Sequence, residues 1–98
     1  DLDAGSAKDL AFALVKQDPK SVVLLALSND GKAQAHMAVG KQALDVAHAG
    51  QWVKALGHHI QGSGGGQDFY ASAGGKSPAG IPDLLQAFEE KLTSCINA

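Results

Sequence analysis

The sequence contains no arginine, and its eight basic residues are all lysines. Ten acidic residues outnumber them, so the formal net charge at pH 7 is −2. Arginine makes the bidentate contacts that most often read guanine in the major groove of DNA. Tight binding to duplex phosphates also needs several clustered cations. The composition therefore argues against a protein that reads DNA sequence, and any nucleic-acid contact must use local lysines, backbone donors, shape and stacking.

Cysteine and long apolar runs are also scarce. Cys95 is the single cysteine among the 98 residues, which excludes an internal disulfide bond. No apolar run is long enough to cross a membrane and no signal peptide is visible, so we expect a cytoplasmic protein without a membrane partner. The length suits one compact domain. Because the chain begins at Asp1 without a methionine, we expect a fragment of a longer protein.

The four histidines do not follow the spacing of a metal site. His58 and His59 are adjacent on a predicted helix and therefore point in different directions around its axis. His48 and His59 lie too far apart along the same helix to bind one ion. The sequence has no pair of cysteines and no His-x-x-x-His, so we predict no metal in this domain.

Apolar spacing predicts an α/β domain. The predicted elements are a helix over 6–17 with Ser6 as its N-cap, a hairpin of strands over 21–28 and 33–39, a helix over 48–61, a short strand near 68–73 and a final helix with Pro82 in its first turn. We expect a small, mostly antiparallel sheet of about three or four strands with three helices packed on it. The first strand is predicted to be buried on both faces, and the second to be half-buried with His36 facing solvent. Trp52 lies on the apolar stripe of the second helix and is predicted to be a core residue.

Two clusters of glycine bracket the short predicted strand and its aromatic pair, Phe69 and Tyr70. The segment from Gly62 to Gly66 comes before this pair, and Gly74-Gly75 comes after it. Glycine adopts positive φ and has no Cβ, so such a loop can turn sharply and can be approached closely by a ligand. We therefore predict that the first cluster is a surface loop and that the rest of the chain holds it in place.

The residues alone leave several chemical interpretations. A nucleotide-binding glycine loop follows a strand and opens a helix, whereas this segment follows a helix and lacks a Gly-Lys-Ser/Thr ending. Neither Ser63 nor Ser72 lies in a Gly-x-Ser-x-Gly elbow. Acid–base chemistry by Asp68 with His48 or His59 is not required by their spacing. Two interpretations stay open: exposed backbone that recognises folded RNA by shape, and a loop that needs glycine simply to turn.

The order of the glycine motifs resembles that of a known domain family. Gly64-Gly65-Gly66 followed by Ala71-x-Ala73-Gly74-Gly75-Lys76 resembles the signature of the DHH-associated domain, in the variant that ends alanyl-tRNA synthetases. Further segments agree with this variant: Ala7-Lys8-Asp9-Leu10, His48-Ala49-Gly50 and Lys76-x-Pro78. The resemblance extends over residues 3–96.

This resemblance implies that residues 1–98 form a single, non-catalytic domain, the C-terminal tRNA-binding module of a longer synthetase. It implies contact with the elbow of tRNA(Ala), where the D- and T-loops meet, in support of aminoacylation and editing. It implies no cofactor in the domain itself, because ATP, Mg and Zn would belong to the rest of the parent enzyme. The remainder of that enzyme is the other expected partner, and the isolated fragment is expected to be a monomer.

By motif position, the resemblance implies RNA contacts from both glycine segments. The expected RNA-facing residues are Gly62, Ser63, Gly64, Gly65, Gly66, Gln67, Asp68, Ala73, Gly74, Gly75 and Lys76. His48, Lys41 and Lys54 are expected to lie close to them.

Two alternative functions accompany this interpretation. The first is the substrate-binding half of a DHH-type phosphoesterase, in which the same domain carries Gly-Gly-Gly-His. Gln67 occupies the place of that histidine, and the catalytic, metal-binding half is absent from this chain. The synthetase variant often has an arginine there, so Gln67 also removes a positive charge. The second alternative is a protein-interaction or dimerisation domain.

Overall fold

A computed structural model describes the backbone of residues 4–97, and their side chains except at 4, 29 and 95–97. In chain order the elements are α1 (Ala4–Gln17), β1 (Val22–Asn29), β2 (Lys32–Val39), α2 (Ala49–Leu56), β3 (Gly62–Gly66), β4 (Tyr70–Gly75) and α3 (Ile81–Asn97). Short 3₁₀ turns lie at Lys41–Ala43, Gly57–Ile60 and Pro78–Gly80. The strands form one antiparallel sheet in the order β1-β2-β4-β3. This sheet, with the helices of residues 4–97 packed on it, confirms the predicted fold class.

The predicted hairpin of β1 and β2 is confirmed. Its turn consists of Asp30 and Gly31, which both have positive φ, at 53° and 76°. Positive φ at the two central residues matches the twist of the flanking strands, which is why Asp-Gly favours this turn. β1 is the outer strand of the pair, so residues 22–28 stay partly or fully exposed, and the prediction that this strand is buried on both faces is wrong. Its apolar side chains nevertheless pack against the cores on both sides of the sheet.

Helices cover the sheet on both sides. On one face, α2 and α3 pack over Met37 and Ala71, and Trp52 is 6% exposed, so the prediction that it is a core residue is confirmed. On the opposite face, α1 places Ala11 and Val15 against Ala38. Alternate residues of β2 therefore contribute to two separate cores.

His36 lies on the α1 side of β2, and its predicted exposure to solvent is wrong. Its side chain is 5% exposed because α1 covers this face of the sheet. The imidazole is hydrogen-bonded at both nitrogens, with Nδ1 2.7 Å from the hydroxyl oxygen of Tyr70 and Nε2 3.0 Å from Oε1 of Gln34. A buried histidine is tolerated here because neither ring nitrogen loses a partner.

The start of α1 differs from the prediction. The helix already includes Ala4, so Ser6 lies within its first turn and does not cap it. Helix propensity does not explain the extension, because Ala4 favours a helix and Gly5 disfavours one.

The second helix is shorter than predicted. α2 ends at Leu56, and the chain tightens into the 3₁₀ turn Gly57–Ile60. Gln61, and not Gly62, adopts the left-handed conformation that ends this turn, with φ of 53°. Gly62 is thereby free to begin a strand.

Candidate functional site

The first glycine cluster is a strand at the edge of the sheet, so its prediction as a loop is wrong. β3 pairs with β4 through residues Gly62 to Gly66, and the N–H of Gln67 donates to the carbonyl of Tyr70 at 2.8 Å. This bond closes a tight hairpin around Asp68 and Phe69. Backbone pairing with β4 stabilises the strand even though glycine has little intrinsic tendency to form one.

A need for positive φ does not explain why glycine occupies these positions. Gly31 is the one glycine with positive φ among the described residues, and it lies in the other hairpin. The residues from Gly62 to Gly66, and those at Gly74 and Gly75, have conformations that other residues can adopt. What distinguishes the two clusters is therefore the space around the missing side chains.

On one face of the hairpin, the missing side chains are required by packing. A Cβ at Gly62, Gly64 or Gly66 would collide with the carbonyl oxygen of the strand beside it. The same glycines share a face with Ala71 and Ala73, which are buried under α2. These three glycines have a structural role.

Helix α2 lies against the same face at close range. A Cβ at Gly50 would lie 2.8 Å from the Gly66 carbonyl oxygen. In the 3₁₀ turn that follows α2, a Cβ at Gly57 would lie 3.4 Å from the carbonyl oxygen of Gly62. The N–H groups of Ala49 and Gly50 donate to the carbonyls of Asp68 and Gln67 at 3.0 and 2.9 Å. These two N–H groups at the start of α2 are therefore already hydrogen-bonded to the turn of the hairpin.

The other face of the hairpin is bare. Gly65 pairs with Ser72, and Ser63 pairs with Gly74, so these four residues share the side opposite α2. Ser63, Gly65 and Gly74 are exposed and Ser72 is half-buried. Apart from its chain neighbours, a Cβ at Gly65 or Gly74 would have no atom of the described residues within 4 Å. We call Ser63, Gly65, Ser72 and Gly74 the open face.

Aromatic side chains of α1 and of the β3–β4 hairpin lie beside the open face. The ring of Phe12 lies 5.0 Å from that of Tyr70 and 6.2 Å from that of Phe69, between centroids. Nζ of Lys8 lies 5.3 Å from the centre of the Tyr70 ring. These side chains border a cleft of about 340 Å³, which we call the aromatic cleft; it is lined by Lys8, Phe12, Gly65, Gly66, Gln67, Phe69, Tyr70 and Ala71.

Sequence reasoning missed the contribution of α1 to this site. Lys8 and Phe12 are four residues apart and so share one face of the helix. Three of the five aromatic residues of the chain meet at the cleft, and Phe69 and Tyr70 already stood out between the glycine clusters. The proximity of Phe12 to them depends on tertiary packing.

Both members of the hydrogen bond between Tyr70 and His36 are neutral at pH 7. Burial lowers the pKa of His36. Burial also raises the pKa of Tyr70, against the smaller, lowering effect of a hydrogen bond with Ser72. With Gln34 accepting from Nε2–H of His36, Nδ1 accepts the proton of the Tyr70 hydroxyl. This chain of bonds holds the Tyr70 ring in place at the edge of the cleft.

The other residues predicted to face RNA are dispersed. Gln67, Asp68 and Lys76 are exposed near the ends of the hairpin. Ala73 is 5% exposed with its methyl group in the core, so its side chain is not presented to a ligand. Lys54 is exposed on α2, which lies on the opposite side of the sheet from the open face.

His48 and Lys41 lie outside the open face as well. His48 caps α2 by accepting from the N–H of Gln51 at 3.1 Å, which is a structural role. Lys41 borders an apolar groove of about 670 Å³ that shares Phe12 and Phe69 with the aromatic cleft. Lys41 does not line the aromatic cleft itself.

Two further observations concern metal-binding groups and membrane-spanning helices. No group of three or more His, Cys, Asp or Glu side chains that could hold a metal ion occurs in the part of the chain that the structure describes. Among the helices described over residues 4–97, none combines the length and apolar character needed to cross a membrane.

Comparisons with known proteins agree on one family. The family model of the DHHA1 domain matches residues 1–94. An alanine–tRNA ligase of Christiangramia forsetii is 43% identical over 91 residues, which are 91% of this chain and 10% of that protein. One of Porphyromonas gingivalis is 36% identical over 89 residues, which are 87% of this chain and 10% of that protein. The chain thus spans about one tenth of the length of the curated relatives it matches.

A solved structure has the same fold. It is the C-Ala domain from the alanyl-tRNA synthetase of Aquifex aeolicus, with a TM-score of 0.88 and 27% sequence identity. The match covers 94% of this chain and 83% of that one.

Proposed function

Because the chain belongs to the DHHA1 domain family, we propose that it is the C-terminal tRNA-binding domain of an alanyl-tRNA synthetase. The relatives are alanine–tRNA ligases, and the C-Ala domain has the same fold over 94% of the chain. The observation that carries the RNA-binding part of the proposal is the open face, where Gly65 and Gly74 lack side chains although no other described residue comes within 4 Å of the Cβ position.

A bare sheet face suits a folded RNA. Such RNA is recognised mainly by shape and by contacts to phosphates and 2′-hydroxyls. On the open face, Ser63 and Ser72 supply hydroxyl groups, and the missing side chains of Gly65 and Gly74 let an RNA backbone approach the sheet. We propose that the ligand is the elbow of tRNA(Ala), where the D- and T-loops meet.

In this proposal the domain contributes binding and no chemistry. It holds the tRNA of the parent synthetase at a point remote from the acceptor end, so that one bound tRNA serves both aminoacylation and editing. The ATP, Mg and Zn of the enzyme belong to its other domains, and the parent acts in the cytoplasm. Residues 1–98 form one domain and are monomeric when isolated.

The two alternatives have less support. A phosphoesterase role would place a histidine after the third glycine, whereas Gln67 stands there and is exposed. The matched relatives named above are alanine–tRNA ligases. The open face does not favour dimerisation, because it combines hydroxyls and bare backbone where a stable protein interface would have an apolar centre.

A footprint of tRNA(Ala) tests the proposal. Chemical probing with the full-length synthetase should show protection of nucleotides in the D- and T-loops. The same enzyme without residues 1–98 should lose that protection and keep its contacts with the acceptor stem. Equal protection of the loops by both proteins would contradict the proposal.

A further inference from the structure

We propose that the aromatic cleft is a stacking site for one unpaired nucleobase of an RNA loop, with Lys8 on the adjacent phosphate. This inference rests on the proposed function, since it assumes an RNA ligand. It specifies which part of the RNA is bound and which side chains bind it. The elements that form the site are α1 and the turn of the β3–β4 hairpin.

The aromatic rings form one cluster. The Phe12 ring lies 5.0 Å from the Tyr70 ring and 6.2 Å from the Phe69 ring, between centroids, and Phe69 is 43% exposed. Phe69 has the largest exposed fraction among the described large hydrophobic side chains, so its ring is available to a ligand, while Phe12 and Tyr70 are half-buried. Every nucleobase has a π-face, so such a surface binds bases with little dependence on sequence.

Tyr70 is held rigidly enough to act as a platform. Its hydroxyl is bonded to His36, which is in turn bonded to Gln34, and both partners lie in the neighbouring strand β2. A ring whose orientation is set before binding loses less conformational entropy when a base stacks on it.

Lys8 supplies a cation beside the rings. Its Nζ lies 5.3 Å from the Tyr70 ring and 5.9 Å from the Phe12 ring, at the solvent side of the cleft. Among the described residues that line the cleft it is the one cation. A single lysine suits one phosphate next to a stacked base, whereas a groove that follows a duplex backbone would need several.

The floor of the cleft admits a flat ligand. Gly65 and Gly66 line it, and a Cβ at Gly65 would have no neighbour within 4 Å. A base that stacks on Phe12 and Tyr70 can therefore place its edge over backbone that no side chain covers. Gln67, which also lines the cleft, offers an amide that can donate to and accept from that edge.

The test uses full-length synthetase and a tRNA(Ala) transcript that carries 2-aminopurine at one unpaired position of the D- or T-loop. Stacking on an aromatic ring changes the fluorescence of this base analogue. A set of transcripts carries the probe at different unpaired positions, one per transcript. Binding of the unaltered enzyme should change the fluorescence of at least one of them. Phe12→Leu and Tyr70→Leu should abolish the change and weaken binding roughly five- to a hundredfold. Tyr70→Phe keeps the ring and should retain most of the signal.

Matched variants separate stacking from general loss of packing. Phe88→Leu makes the same change as Phe12→Leu at another half-buried helical position, on the opposite side of the sheet, and should leave the signal intact. Lys8→Gln should lower the slope of log affinity against log salt by about one, and Lys91→Gln should not alter it. Circular dichroism of each variant confirms that the helices are retained.

The possible outcomes distinguish the two proposals. If removal of residues 1–98 weakens tRNA binding but Phe12→Leu, Tyr70→Leu and Lys8→Gln change neither affinity nor fluorescence, the stacking site is wrong and the tRNA-binding role stands. If removal of the domain leaves tRNA affinity unchanged, the proposed function is wrong and the stacking site falls with it.

Discussion

Gly64 and Gly65 are neighbours in one strand, yet they lack side chains for opposite reasons. At Gly64 a Cβ would collide with the Ser72 carbonyl and lie 2.6 Å from the methyl carbon of Ala73. At Gly65 a Cβ would meet no atom of the described residues within 4 Å, apart from its chain neighbours. Packing of the hairpin explains the first glycine, whereas no packing contact of the described residues explains the second. The two glycines differ because successive residues of a strand point to opposite faces of the sheet, and the sequence of the cluster alone does not show this.

The largest expected effect is on stability, at the packed glycine. Gly64→Val should destabilise the fold by about 1–3 kcal/mol, because the added side chain forces β3 away from β4. Chemical denaturation measures the change. Gly65→Val is the matched control and should stay within about 0.5 kcal/mol of the unaltered protein, as exposed substitutions usually do. Equal destabilisation by both variants would contradict the distinction between the two faces.

The next effect is on binding, at the bare glycine. Gly65→Val should weaken association with tRNA(Ala) roughly tenfold or more, which is about 1.4 kcal/mol, because its branched side chain stands where the RNA backbone approaches. Titration of the full-length enzyme with tRNA measures this. Ser28→Val adds the same side chain at an exposed position of β1, at the far edge of the sheet, and should not change affinity. Unchanged binding by Gly65→Val would remove the open face from the site.

A smaller effect concerns pH and the residue that supports Tyr70. Burial holds the pKa of His36 below its ordinary value of 6.5, so the unfolded chain binds this proton more readily than the folded protein. Stability should therefore fall as pH drops through about 6.5 toward the lower, folded-state pKa, and it should not change for this reason at higher pH. Denaturation curves of the unaltered protein and of His36→Gln between pH 7.5 and about 5 measure it. Parallel pH dependence in the two proteins would show that His36 does not titrate on unfolding.

The smallest effect is that of salt on binding. Because the chain has no arginine and Lys8 is the one lysine at the described aromatic cleft, few counterions are released when RNA binds. The contribution of residues 1–98 to the slope of log affinity against log salt should be roughly −3 or shallower. Titrations of the full-length enzyme, with and without the domain, at several salt concentrations give this difference. A much steeper contribution would mean that cations outside the cleft carry the interaction.

Local patterns accounted for much of the fold. The Asp30-Gly31 turn between two apolar runs predicted the β1–β2 hairpin, because positive φ at adjacent residues leaves few alternatives. Helical spacing of apolar residues predicted all three helices, including the burial of Trp52. Alternation also predicted that His36 and Met37 lie on opposite faces of β2. It did not predict that α1 covers the face on which His36 lies.

The sequence by itself therefore determined the types of element, the hairpin, the family motif and the surface position of the first glycine cluster, since each depends on residues close together in the chain. Tertiary structure alone decided that this cluster is an edge strand, which of its glycines are packed, and that Lys8 and Phe12 of α1 join Tyr70 at one cleft. The physical reason is that a periodic pattern shows which side chains share a face, whereas the neighbour that covers or leaves open that face comes from a distant part of the chain.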